Sequence, residues 1–237
     1  VEPDLLVDIK HISAMQSIKK SATGFRIGAA VSAAEMGENT SLKKTWPGVV
    51  ESANLIGSDQ IQNRCTIVGN LCNASPAADS VPNLMALDAK LELKSMQGIR
   101  TLSMEEFILG NRKTAKKQDE LVSNIFVPHP RKNTFGNFEK LGTRAYLVIS
   151  IVMVGVVAEL NEQDEILNLK VAVGACSPVA QRLRLLEKEC VGQRLKSIEI
   201  HPKHLELLDP IDDVRASANY RNAVVPELLK RAITGVV

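Results

Sequence analysis

The sequence predicts an α+β fold in two parts, and three observations carry that prediction. Capped helical segments and short β-type runs share residues 1–127; the Pro128-His129-Pro130 cluster then breaks regular structure; and residues 128–237 read as strands first and helices afterwards rather than in strict alternation. The 237 residues exceed one typical domain, and 45% hydrophobic with 24% charged is globular composition that can bury a core. Only 3% is aromatic, so that core must be aliphatic.

The elements follow in order. Runs at 5–9 and 25–31 are β-type, and Ser32 with Glu35 forms an S-x-x-E capping box that starts a helix. Pro47 suits the first turn of the next helix, whose Val49, Val50, Ala53, Leu55 and Ile56 recur at helical spacing. Residues 57–79, rich in Gly, Asn, Ser and Pro, read as a long ordered loop. A helix over 80–87 and a half-buried strand over 89–95 come next, the strand alternating Leu91 and Leu93 with Glu92 and Lys94. Gln97-Gly98 turns the chain into a strand over 99–102, Ser103 with Glu106 makes a second capping box, and Gly110 stops that helix. A basic loop over 112–117 leads to a strand over 121–127. In the second part, strands over 135–141 and 166–176 flank an apolar run at 147–158 and a turn at 161–165, which makes an antiparallel sheet. Helical segments over 178–192, 204–208 and 216–233 complete the chain, with Pro226 as a kink.

Composition also excludes several functions. The net charge is +2 with no basic block, and too few aromatic residues are present to stack bases, so nucleic acid is not an expected partner. Cys65, Cys72, Cys176 and Cys190 form neither a C-x-x-C pair nor a cluster of closely spaced thiolates, so no metal site is expected and reduced, cytoplasmic thiols are the default. His201 and His204 lack a third ligand and read as surface residues at a helix start. The run at 147–158, interrupted only by Ser150 and Gly155, is shorter than the ~20 residues of a membrane span and reads as a buried strand or helix. The chain starts at Val1 rather than Met, with no signal-peptide pattern, so an upstream segment is expected to be missing.

Chemistry concentrates at 66–79. Neither a Walker loop nor a G-x-G-x-x-G turn is present, which leaves Thr66-Ile67-Val68-Gly69-Asn70 and Asn73-Ala74-Ser75-Pro76-Ala77-Ala78-Asp79. A turn at Gly69 lets backbone N–H groups converge on an anion, while the Thr66 hydroxyl and the Asn70 and Asn73 amides add neutral contacts, a combination suited to a diphosphate. Asp79 would repel phosphate but accepts well from sugar or ribityl hydroxyls. Composition alone is equally that of an ordinary turn-rich loop.

The run Gln60-Ile61-Gln62-Asn63-Arg64-Cys65-Thr66-Ile67-Val68-Gly69-Asn70-Leu71, continuing through Asp79 to Pro82 and Ala86-Leu87-Asp88-Ala89, closely resembles the FAD-binding subunit of molybdenum hydroxylases. That family includes the medium subunit of aerobic carbon monoxide dehydrogenase and the flavin domain of xanthine dehydrogenase. Independently, Pro210-Ile211-Asp212-Asp213-Val214-Arg215-Ala216-Ser217-Ala218 with Tyr220-Arg221, and Ala172-Val173-Gly174-Ala175 with Pro178 and Arg182, look like the family's C-terminal domain. The resemblance implies a PCMH-type FAD-binding domain over 1–127 and a C-terminal domain of antiparallel sheet plus helices over 128–237. It further implies an oxidoreductase subunit that takes electrons from a molybdopterin-binding large subunit through a two-iron two-sulfur small subunit and passes them to a terminal acceptor. Carried over by position, Thr66, Ile67, Val68, Gly69 and Asn70 match the FAD loop and Asn73 and Asp79 the polar contacts after it. Ile56 and Val122 match hydrophobic contacts, and Lys140 a basic residue at the start of the second domain. None of these is expected to act as a general acid or base, because the flavin carries the redox chemistry.

Two departures from the pattern stand out. Val68 occupies the position of the first of two glycines, where a left-handed backbone would strain a β-branched residue unless the loop keeps ordinary β geometry. The family's other glycine-rich loop is expected to precede Val1. The competing readings are a stand-alone PCMH-superfamily flavin oxidoreductase, which would need an acid-base cluster over the flavin, and a flavin-free scaffold subunit.

Overall fold

The computed structural model of the protein describes residues 4–235. Strands β1 (Ile18–Lys20) and β2 (Gly24–Gly28) open the fold, followed by helices α1 (Ala33–Glu38), α2 (Thr40–Thr45), α3 (Pro47–Asn54), α4 (Asp59–Gln62), α5 (Ile67–Asn73) and α6 (Ser80–Ala86). Next come β3 (Lys90–Ser95), β4 (Gly98–Ser103), α7 (Met104–Phe107), β5 (Ile108–Gly110), β6 (Lys113–Thr114) and β7 (Leu121–Pro128). The second half holds β8 (Thr134–Leu141), β9 (Val152–Leu160), β10 (Ile166–Gly174), β11 (Gln181–Arg182), α8 (Arg184–Cys190) and α9 (Ala218–Thr234).

Two larger antiparallel sheets result, beside a two-stranded one of β5 and β6. The first has the order β1-β2-β7-β3-β4 and the second β11-β10-β9-β8. Both capping boxes form in full: Ser32 and Ser103 each accept from the amide three residues on, and Glu35 and Glu106 each return the bond to the cap amide. Pro47 sits at the start of α3, where its missing N–H costs nothing. In β3 the alternation read from the sequence is the burial pattern, with Leu91 and Leu93 inward. The core is aliphatic, with Phe25, Phe107, Phe138 and Trp46 as its few large aromatic contributions among the described residues.

Several features differ from the sequence reading; among them, strand β11 lies within the segment 178–192 that the sequence predicts to be helical, and α8 starts only at Arg184. Residues 5–9 form no strand and expose Leu5, Leu6 and Val7, because no neighbouring edge pairs with them. The stretch 57–79 is not one loop, since it contains α4 and α5. Helix α7 ends at Phe107 and Gly110 lies in β5, so the glycine is not its stop. The apolar run becomes a strand only at Val152; before it, Leu147 takes φ of +55° and Leu147 and Ile149 stay exposed.

Helix α6 joins the two halves. All seven of its residues are buried, and it lies on β9 and β10 of the second sheet as well as on α3 of the first half. Two glycines make the seat: a Cβ at Gly155 would lie 2.6 Å from the Asn83 amide nitrogen, and one at Gly174 would lie 2.8 Å from Pro82. Asn83 Nδ2 also donates to the Gly48 carbonyl at 2.6 Å, tying α6 to α3. Arg182 reinforces the junction, donating to Asp88 at 3.1 Å and to Glu187 at 2.6 Å. Asp79, immediately before α6, is therefore carried on the most enclosed element of the junction.

Candidate functional site

The conspicuous 66–70 segment is a helix start. Thr66 has extended geometry, and its Oγ1 accepts from the Gly69 amide at 2.9 Å, so it caps α5. Ile67 and Val68 turn their side chains into the core, leaving only their backbone for a ligand. Gly69 is exposed, and an added Cβ would lie 2.9 Å from Thr66 Oγ1, so glycine keeps this cap open. Val68 is helical, neither left-handed nor in β geometry, which removes the strain its β-branch suggested. Val68→Gly should therefore lower the melting temperature, corresponding to about 2 to 4 kcal/mol, by stripping a buried side chain and loosening the helix. A higher melting temperature for the glycine variant would contradict this placement.

Side chains beyond the cap link the neighbouring elements. Asn70 Oδ1 accepts from Ser80 Oγ at 2.7 Å, joining α5 to α6. Asn73 Oδ1 accepts from Arg112 Nη1 at 3.0 Å at the exposed end of α5. Ala74 ends the helix in the left-handed region, with φ of +47°.

Asp79 does not cap α6; its carboxylate faces Lys140 on β8 and Ser150 just before β9 instead. Oδ2 accepts from Lys140 Nζ at 2.8 Å and Oδ1 from Ser150 Oγ at 2.5 Å, while Lys140 also donates to the Leu55 carbonyl at 3.0 Å. The two charged side chains are only 10% and 6% exposed. Burial pushes the Asp79 carboxyl above its usual range, against the pull of Lys140 and the Ser150 hydroxyl. Beside this pair opens a cleft of about 380 Å³, walled by Ile56, Ser58, Asn70, Asp79, Leu147 and Ile149. A second cleft of about 610 Å³ shares Ala77 and Ile149 with it and reaches Arg112, Asp213 and Arg215.

Ile56, Asn70, Asp79 and, through its ion pair, Lys140 thus come together, while Thr66, Ile67, Val68, Gly69 and Asn73 do not line this cleft. Val122 does not join them: it is 1% exposed in the first sheet, paired with Leu93. Residues the sequence reading passed over include Leu147, Ile149 and Arg215 on the rim and Ser150 beneath it. For Ser150 the available signal was its place as a hydroxyl within an apolar run. His204, read as a surface residue, is 3% exposed, and its Nε2 lies 3.0 Å from a Glu189 oxygen on α8. Burial pushes the Cys176 thiol up to about 12 and the Cys190 thiol up to about 11, so both stay protonated.

Neutral hydroxyl and amide groups near the start of α5, a buried carboxylate facing a cleft and apolar cleft walls are what the chain offers a large polar ligand. The model of the FAD binding domain in molybdopterin dehydrogenase matches residues 1–130, and that of the CO dehydrogenase flavoprotein C-terminal domain matches residues 138–236. The chain belongs to this flavoprotein family of molybdopterin dehydrogenases. It is 30% identical to the glyceraldehyde dehydrogenase medium chain of Sulfolobus acidocaldarius, over 100% of this chain and 84% of that protein. It is 27% identical to the xanthine dehydrogenase FAD-binding subunit of Escherichia coli O157:H7, over 98% of this chain and 81% of that one. Its fold superposes on a carbon monoxide dehydrogenase chain from Hydrogenophaga pseudoflava with a TM-score of 0.90, at 24% identity, covering 100% of this chain and 83% of the other.

The protein is therefore an FAD-binding, electron-transferring subunit of an oxidoreductase, and its relatives are medium chains and subunits of larger assemblies. No helix among the described residues is long and apolar enough to cross a membrane. The residues present fit FAD. The exposed Gly69 carries no side chain at the capped helix start, Thr66, Ser58 and Asn70 are uncharged, the one carboxylate at the smaller cleft is already paired with Lys140, and Ile56, Leu147 and Ile149 offer apolar walls.

Proposed function

We propose that this chain relays electrons within a molybdopterin-dependent hydroxylase, taking them from a two-iron two-sulfur small subunit that serves a molybdopterin-binding large subunit. Bound FAD supplies the electron-accepting and electron-donating centre. The protein's own residues bind and orient it: the α5 start from Thr66 to Asn70 receives the diphosphate, Asp79 accepts from sugar or ribityl hydroxyls, and Ile56 packs against the flavin. Ile67 and Val68 contribute backbone only. Lys140 places a positive charge beside the same groups, and Asn73 supports the loop through Arg112. Val122 acts indirectly, as part of the sheet that supports the cleft.

The observation that carries this reading is the meeting of Asn70, on the capped helix α5, with the buried Asp79–Lys140 pair at one cleft between residues 1–127 and 128–237, which we take as the two domains. Four free cysteines among the described residues suit a reducing, cytoplasmic setting. Titration of FAD into Asn70→Ala and Asp79→Ala variants tests the assignment. Loss of one hydrogen bond in each should weaken binding about twofold to tenfold. Unchanged dissociation constants for both would overturn it.

A further inference from the structure

Ser150 is 0% exposed, and its hydroxyl and its carbonyl are engaged in different directions. Its hydroxyl donates to Asp79 Oδ1 at 2.5 Å, and its carbonyl accepts from Arg215 Nη1 at 2.8 Å. Arg215 is itself held in place. Its Nε donates to Asp213 Oδ2 at 3.0 Å, and Asp213 Oδ1 accepts from the Arg215 amide and from Arg221 Nη2, both at 2.8 Å. Arg221, fully buried on α9, also donates to the carbonyls of Ile151 and Ala175. A continuous line of hydrogen bonds therefore runs from α9 through Asp213, Arg215 and Ser150 to Asp79, then through Lys140 to the Leu55 carbonyl. It spans both domains and passes between the two clefts.

We infer that Ser150, held by Arg215, is a positioning residue for the flavin: it orients the Asp79 carboxylate, and through it the Lys140 ammonium, for the cofactor's polar groups. The inference rests on the reading that Asp79 and Lys140 contact FAD. Among the described residues Asp79 has two side-chain donors, Lys140 and Ser150, and its buried surroundings favour the protonated acid. Without the Ser150 hydroxyl, one carboxylate oxygen is left without a donor in an enclosed site and the ion pair is free to turn. Arg215 sets the height of Ser150 by holding its carbonyl, and Asp213 with Arg221 keeps Arg215 from swinging into the larger cleft that it lines.

The test measures FAD dissociation constants and flavin reduction potentials for the full chain as wild type, Ser150→Ala, Asp79→Asn and the double variant, with thermal melts to show that each is folded. Ser150→Ala should weaken FAD about threefold to tenfold and shift the potential, and the double variant should bind no more weakly than Asp79→Asn alone. Arg215→Gln should reproduce part of the loss and Arg215→Lys should restore it. An unchanged Ser150→Ala, or one whose effect adds in full to Asp79→Asn, overturns the positioning role while the effect of Asp79→Asn leaves the binding reading intact. An Asp79→Asn variant indistinguishable from wild type overturns the binding reading, and the positioning role with it. Should Ser150→Ala fail to fold, Arg215→Gln decides by the same comparison, because that side chain is 23% exposed at the rim and its removal opens no core cavity.

Discussion

Lys140→Met destabilises the protein by about 3 to 5 kcal/mol at neutral pH, the cost of leaving a buried carboxylate without its cation. The ammonium removed is 6% exposed and is the principal charge opposing the burial of Asp79. The pH dependence follows from the direction of the Asp79 shift. A carboxyl whose folded value lies above its unfolded value binds a proton more tightly in the folded state, so it contributes stability at low pH that is lost as pH rises through the folded value. Lys140→Met raises the folded value further. The deficit should therefore be largest near neutrality and narrow as the medium is acidified and Asp79 takes up its proton. Urea melts of both proteins across that range provide the measurement; a deficit that stays constant or widens on acidification would show that Asp79 is not the group left stranded.

Gly155→Ala costs about 3 kcal/mol or more, although it adds one methyl group. The new Cβ would meet the backbone of Pro82 and Asn83 at 2.6 Å, and backbone, unlike a flexible side-chain tip, cannot move aside alone. To relieve the clash α6 must lift from β9, disturbing its packing on both halves. Gly110→Ala is the matched control: its Cβ would find only Lys113 Cβ at 3.8 Å, an ordinary contact, and its φ is not left-handed. Thermal melts should separate the two clearly, and equal melting temperatures would show that α6 is not seated as described.

What was legible in the sequence was whatever a few adjacent residues decide. Ser32 with Glu35 and Ser103 with Glu106 complete their boxes within four positions, and β3 shows its buried side by alternation. Helix α5 was not legible. Seven residues make two turns, too few for Ile67, Val68 and Leu71 to display a helical period, and the surrounding Gly and Asn residues outweigh them. Residues 147–149 are apolar for a different reason from the strand that follows: they wall a cleft, and Leu147 breaks the extended chain. The family match brought Asp79 and Lys140 onto one list of residues, but not their pairing across 61 positions, nor that of Asp79 with Ser150 across 71. Local preference carries no information about contacts of that range.

The glycine seat under α6 also bears on how the protein is made. Synthesis delivers α6 to the ribosome exit before β9 and β10, so the newly made first half must wait with the underside of that helix uncovered. During that interval Pro82 and its neighbours present a surface that has no cover until Gly155 and Gly174 arrive. Transiently exposed apolar surface favours wrong associations, so the interval between the completion of the first sheet and the pairing of β9 with β10 is one in which a holding chaperone has something to cover.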